Sequence, residues 1–354
     1  MKTTVTLTTI HVPNVIEKVE QNRKTFGHSD VDYVVVGDKR SPQECEDYLS
    51  GLKSKGVKVL YLSADKQNDY LGKHPAFRKY LPFNTFARRN VADLIAYENG
   101  AEIILRMDDD NFPVEHDDFI GGHRVVGTHP ELPTLSSSDG WYNCCELLET
   151  KGNVDFYPRG YPYPKRWKPQ KIEKSNQKTK VMLCAGLWTG DPDVDAVTRL
   201  HKPIEAIALK AGASYVALAK GTWCPINTQN TSYHRDLIPA SFVSPNVGRY
   251  DDIFSGFLLR LLMDHFGDTI VYGRPILHQD RNQHNLWKDL EYEMFGNQMT
   301  PHLIEILREC KIKSLDYASA YTELAQYLKT NLREGREGFQ VLWEGMNVWA
   351  ECFR

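Results

Sequence analysis

No apolar run in this chain of 354 residues approaches the length of a membrane span. The opening stretch, Met1-Lys2-Thr3-Thr4-Val5-Thr6-Leu7, is too polar for a signal peptide. Basic charge is not in excess. The formal net charge of −3 leaves no dedicated nucleic-acid-binding signature. The seven cysteines include no Cys-x-x-Cys, and no histidines accompany them at zinc spacing. Reduced thiols, including the adjacent Cys144 and Cys145, are expected. Internal repeats and low-complexity tracts are also missing. These absences predict a soluble, cytoplasmic globular protein, and a hydrophobic content of 41% allows it a sizeable core.

What is present begins with residues 102–112, Glu-Ile-Ile-Leu-Arg-Met-Asp-Asp-Asp-Asn-Phe. A β-prone run, Ile103 to Met107, ends in Asp108, Asp109 and Asp110. Adjacent carboxylates repel, and beside a buried strand they are costly to desolvate. A divalent cation removes both problems. Mn²⁺ or Mg²⁺ takes hard oxygen ligands and often combines one or two carboxylates with substrate phosphates. In open α/β sheets, ligands bind at the carboxyl ends of strands.

The surrounding pattern alternates strands and helices. Val5–Ile10, Asp32–Val36 and Val57–Leu62 read as strands. Between the last two, Ser41, Pro42 and Glu44 predict a capped helix closed by Gly56. Asn84 to Glu98 reads as another helix. The expected class is α/β: a mainly parallel sheet flanked by helices. Residues 134–180 form a long excursion in which Tyr157 to Gln170 is dense in Pro, Tyr, Arg and Lys, and whose end (171–180) is polar and expected to be mobile. Thr269–Tyr272 reads as a short strand followed by a turn at Pro275. Helices are expected to start at Thr300-Pro301, at a Ser314 cap and near Phe339. The division is therefore a catalytic domain over 1–298 and a C-terminal helical extension over 299–354.

Several ordered stretches carry a resemblance. They are Met107–Phe112, Arg159-Gly160-Tyr161-Pro162, Gly186-Leu187-Trp188, Asp191–Ala196 with Thr198, Lys220-Gly221-Thr222, Arg235–Ile238, Gly248-Arg249-Tyr250-Asp251-Asp252 and Asp264–Gly267. On these the chain resembles the reversibly glycosylated polypeptide family, the plant UDP-arabinopyranose mutases, from the acidic strand to about residue 295. The resemblance implies a glycosyltransferase-A-like fold. It implies metal ligation by Asp108 and Asp110 with Asp109 beside the nucleotide sugar, and His278 completing the metal shell. It makes Arg159 a transient carrier of sugar and Arg166, seven residues on, its functional partner. A charge-stabilising role, with both arginines gripping the departing diphosphate, is the simpler physical reading.

Asp251 and Asp252 open an apolar helix, Ile253 to Met263. They read either as acceptors for sugar or proton, or as helix caps. Asp38, Arg88 and Arg89 are candidates for the nucleoside and phosphates, and Trp188 for a wall against the sugar ring. Asn227–Tyr233 is more polar than the family's corresponding stretch. The expected activity is metal-dependent cleavage and re-formation of the anomeric carbon–diphosphate bond of a UDP-sugar, with ring interconversion as the specific expectation. Transfer to an external carbohydrate or other acceptor is the alternative, and a non-catalytic nucleotide-sugar-binding subunit is the third; under any of the three, self-association into an oligomer is left open by the sequence.

Overall fold

The computed structural model describes residues 1–354. Its first strands are β1 (Thr3–Thr8), β2 (Val31–Val36), β3 (Val59–Leu62) and β4 (Ile103–Met107). β1, β2 and β4 are buried at nearly every position, as strands covered on both faces must be. Period-two alternation sorts their side chains. Val31, Tyr33 and Val35 join one apolar cluster with the helices α1 (Val15–Thr25) and α2 (Glu44–Ser54). Val34 and Val36 join a larger cluster with α3 (Arg89–Glu98).

Nine further strands extend the sheet. They are β5 (Asn111–Pro113), β6 (Glu131–Ser137), β7 (Leu148–Thr150), β8 (Ile172–Lys178), β9 (Val181–Gly190), β10 (Ala206–Leu209), β11 (Val216–Leu218), β12 (Asn230–His234) and β13 (Thr269–Gln279). The main order is β3-β2-β1-β4-β12-β9-β13-β11-β6-β8. The α/β class holds. The parallel character is confined to the first four strands and to the pairs β9–β13 and β6–β11. β12 runs antiparallel to both β4 and β9 and makes the remainder mixed.

Local expectations differ in places. Ser41 does not cap α2. Its hydroxyl accepts from the Asp38 N–H and donates to the Thr9 carbonyl, which ties two strand ends together. Residues 172–178 are not a loose segment but a strand in seven-residue antiparallel register with β6. The strand expected to stop at Tyr272 continues through a bulge to Gln279. Asp316, rather than Ser314, caps α6 (Tyr317–Asn331), accepting from the Ser319 N–H at 2.9 Å. No helix is long and apolar enough to cross a membrane. All seven cysteines are free thiols, six of them buried.

Two more helices position the site. α4 is Asp251–Phe266 and α5 is Leu286–Glu309. α5 runs through residues 298 and 299 without interruption, with Pro301 inside it rather than at its start. α6 and the last helix, α7 (Arg336–Glu351), bury Tyr321, Leu324, Trp343 and Trp349 in the same core as the sheet. Trp349 Nε1–H donates to the Ile238 carbonyl at 2.8 Å.

α5 lies tight against the turn Gly248–Tyr250 that leads into α4. A Cβ on Gly296 would stand 2.0 Å from the Tyr250 ring. Gly248 has φ +63°, and a Cβ there would meet the Tyr292 carbonyl. Gly296→Ala should therefore overpack this contact and destabilise the protein by about 1–3 kcal/mol. Urea unfolding checks the stability, and the loss should come with reduced turnover because Tyr250 immediately precedes Asp251.

Candidate active site

The carboxyl ends of β1, β2 and β4 open on one cavity of about 610 Å³. Its near wall is Thr8, Thr9, Gly37, Asp38 and Asp108–Asp110. The far wall comes from the excursion, the segment after β9, the start of α4 with the turn before it, and the end of β13 with the segment beyond: Arg159, Asp193, Arg249, Asp251, Asp252 and Gln279–His284, with Asp280 excepted. Of the residues expected from sequence, Asp38, Arg88, Asp108, Asp109, Asp110, Arg159, Asp251 and Asp252 line the cavity. Arg89, Arg166, Trp188 and His278 do not.

The acidic tip is held from beneath. Arg89 is fully buried and donates to Asp108 Oδ1 at 2.5 Å and to the Thr228 carbonyl at 2.5 Å. It is a supporting cation and not a cavity group. Asp109 accepts from the Thr9 hydroxyl at 2.6 Å. Asp110 accepts from Asn111 Nδ2 at 2.8 Å and from the Asn282 N–H at 3.3 Å. Burial raises the pKa of all three carboxyls. Asp108 reaches about 6, burial and Asp110 outweighing the pull of Arg89.

No three His, Cys, Asp or Glu side chains form a ready-made metal cage. His278 sits on the opposite face of β13 from Gln279 and contacts Thr189 Oγ1 at 3.2 Å. The strand's continuation to Gln279 put it there. His284 faces the cavity instead, fixed through Nδ1 to Asp289 at 3.0 Å.

At the rim, Asp38 spends its carboxylate on the N–H groups of Lys39 at 2.6 Å and Asn84 at 2.7 Å. Arg88 stacks 3.8 Å from the Phe83 ring centre and donates to Gln67 and the Leu81 carbonyl. Burial lowers its pKa to about 10, and its Nη2 has no partner.

Across the cavity, Arg159 is clamped. Nε and Nη2 meet the two oxygens of Asp193, each at 3.0 Å. Nη1 and Nη2 meet the two oxygens of Asp252 at 3.0 and 3.2 Å. Nη1 also donates to the Arg249 carbonyl. Every N–H of the guanidinium is used. Burial works against the charge of Arg159, but the two carboxylates raise its pKa well above the usual range. Burial likewise opposes Asp193, yet Arg159 holds that carboxyl down to about 2.

Gly160 makes this approach possible. Its φ is +89°, and a Cβ would sit 2.5 Å from Ile253 Cγ2 on α4. Arg166 is buried elsewhere, paired to Asp195 at 2.5 Å and stacked 3.9 Å from the Tyr163 ring centre. It shapes the loop that carries Arg159. Trp188 lies in the core behind Arg159, 2% exposed.

Asp251 and Asp252 diverge although adjacent. Asp252 accepts from Arg159, Thr228 and the Ile253 N–H and is fully committed. Asp251 faces the cavity, and burial together with Asp252 pushes its pKa up to about 7. Sequence reasoning gave no role to Asp193, Arg249, Arg281, His284, Gln229 or Gln279. Asp193 and Arg249 lay inside the recognised stretches but carried no pattern that set them apart from their neighbours. Seven carboxylates and five guanidiniums face the cavity, which leaves an excess of negative charge.

The raised carboxyls dictate a pH response. A folded pKa above the unfolded value stabilises the protein below the unfolded pKa, and that stabilisation is lost as pH rises through the folded pKa. For Asp108 and Asp251 the loss falls between about pH 4 and pH 7, from the unfolded carboxyl range to the values near 6 and 7. The thermal midpoint of the ligand-free protein should drop across this window. Asp251→Asn should flatten the drop, as read by unfolding scans at several pH values.

The profile of the family described as "Reversibly glycosylated polypeptide" matches residues 77–354. "UDP-arabinopyranose mutase 2" of Arabidopsis thaliana is 27% identical over 258 residues, which cover 71% of this chain and 68% of that protein. "UDP-arabinopyranose mutase 1" of the same plant is 27% identical over 205 residues, 56% of this chain and 54% of that protein, so that match spans about half of the relative's length. Among solved structures, glucosyl-3-phosphoglycerate synthase from Mycobacterium tuberculosis, in complex with Mn²⁺, UDP and phosphoglyceric acid, aligns with a TM-score of 0.43 and 12% identity. That alignment covers 86% of this chain and 78% of the synthase. With its profile match extending over most of its length, the chain belongs to the reversibly glycosylated polypeptide family.

Proposed function

We propose that the cavity binds a UDP-sugar and that the protein breaks and re-forms the bond between the anomeric carbon and the diphosphate, interconverting pyranose and furanose forms. The names of the relatives supply the sugar to test first, UDP-arabinopyranose. The observation that carries the reading is the Arg159 guanidinium, held at the cavity wall between two carboxylates and opposite the acidic strand end.

In this reading the nucleoside lies along the ends of β1 and β2, by Asp38 and Arg88. Asp108 and Asp110 would hold Mn²⁺ or Mg²⁺ together with the diphosphate, and His284 rather than His278 lines the same cavity. The donor set fits: hard carboxylate oxygens, raised in pKa by burial, in a cavity with excess acid. A diphosphate adds more negative charge to that cavity, so these residues accommodate it with a divalent cation and repel it without one. When bound, the cation stabilises the departing diphosphate.

The chain's own groups divide the remaining work. Asp193 and Asp252 fix the plane of Arg159. If Arg159 carries the sugar, an Nη–C bond forms as the C–O bond to UDP breaks, and the displaced proton passes to a flanking carboxylate. Asp251, with its pKa near 7, suits proton exchange with a sugar oxygen at neutral pH.

Incubation with UDP-arabinopyranose and Mn²⁺ or Mg²⁺, without acceptor, should yield the furanose isomer. Excess chelator should abolish the reaction, and Asp110→Asn should slow it by about 10²-fold or more. Slow hydrolysis alone, with sugar appearing only on an added acceptor, would establish a transferase instead.

A covalent Arg159 predicts a gain of one pentose mass, removed by excess UDP. An electrostatic Arg159 predicts no adduct and partial activity in Arg159→Lys, which keeps charge but loses the fork. Turnover within about twofold in Arg159→Ala, a barrier change of roughly 0.4 kcal/mol, would remove the reading.

A further inference from the structure

We propose that Gln229 and Gln279 form a subsite that recognises a hydroxyl group on the sugar ring of the bound nucleotide sugar. The proposal rests on reading the cavity as a nucleotide-sugar site. Both side chains line the cavity and are 5% and 3% exposed.

Their orientation follows from one partner. Arg281 Nη2 donates to Gln279 Oε1 at 3.0 Å. A guanidinium has no acceptor, so the atom it meets must be the amide oxygen. Gln229 Nε2 donates to the same oxygen at 3.2 Å. Its own oxygen must then point away. Two polar groups are left over: Gln229 Oε1, an acceptor, and Gln279 Nε2, a donor. Neither makes a hydrogen bond within the protein, and neither is among the sealed polar atoms that lack a partner. Both therefore open on the cavity.

Their place is between the two functional walls. Strand register puts Gln279 opposite Asn111, next to Asp110, on one side and opposite Gly190, which leads into Asp191–Asp193, on the other. The Asp280 N–H donates to the Asp110 carbonyl at 3.0 Å. Gln229 follows Thr228, whose N–H holds Asp252. A ligand whose diphosphate meets Asp110 and whose anomeric carbon meets Arg159 would set its ring beside this amide pair.

A hydroxyl donates and accepts at once, and a neutral acceptor beside a neutral donor matches it. A ring carbon without its hydroxyl leaves both nearly buried amide atoms unpaired, which is the condition for strong discrimination. The ligand class is a neutral polyhydroxylated sugar on UDP.

The test is calorimetric binding, with Mn²⁺ present throughout, of UDP, UDP-arabinopyranose and its analogues, each lacking one ring hydroxyl. In the wild-type protein, removal of one particular hydroxyl should weaken binding by about tenfold or more. In Gln229→Met that penalty should shrink to about twofold or less, because the acceptor is gone. UDP affinity reports separately that the variant retains a folded nucleotide site. Gln279→Met, which removes the donor, should give the same result and serves if the first variant does not fold. Equal binding of all analogues to the wild type, or an unchanged penalty in the folded variants, would overturn the subsite. Absence of UDP binding to the wild type would instead overturn the nucleotide-sugar reading beneath it.

Discussion

The site depends on the burial of one guanidinium. Taking Arg159 out of water is costly unless each charge is paired and each N–H finds an acceptor. Asp193, Asp252 and the Arg249 carbonyl meet that demand, and they come from two parts of the chain, both distant from Arg159. The excursion, the segment after β9 and the start of α4 must therefore close together around one charge. Gly160 permits that approach. α5 reinforces it, because Glu293 accepts from Arg249 Nε at 3.1 Å and Gly296 lets the helix reach Tyr250.

The clamp is also linked to the acidic strand end. Arg89 joins Asp108 to the Thr228 carbonyl, the Thr228 N–H reaches Asp252, and Asp252 holds Arg159. These contacts are largely shielded from solvent, so each is stronger than its exposed counterpart and each unpaired member more costly. A cation drawing on Asp108 would compete with Arg89 for the same carboxylate. The two walls of the cavity thus share charges, and the carboxylate that pairs Arg159 is also fixed from the side of the acidic tip.

Much of the N-terminal half was legible in the sequence. β-branched runs ending in Gly37-Asp38 and Asp108–Asp110 announced strands whose tips gather at one edge. Asp251 and Asp252 stood visibly at the head of an apolar helix. The second half was less legible. Polar Ile172–Lys178 forms a strand because its backbone pairs with β6, although its side chains give little sign of it. β13 runs on past Tyr272, and that continuation decided that Gln279 faces the cavity and His278 does not. Arg89 and Arg166 look like ligand-binding cations in sequence, but both spend their charge on buried carboxylates.

The sequence by itself determined the α/β class, the acidic strand end and the arginine of the excursion, because these rest on local periodicity, charge clustering and short ordered stretches. Only the tertiary structure decided which charges face the cavity and which serve as struts. That distinction turns on burial and on partners far apart in the chain: Asp193 for Arg159, Asp195 for Arg166, Arg281 for Gln279. A side chain's identity states what it can donate or accept, whereas the surrounding fold decides which of those capacities is still free.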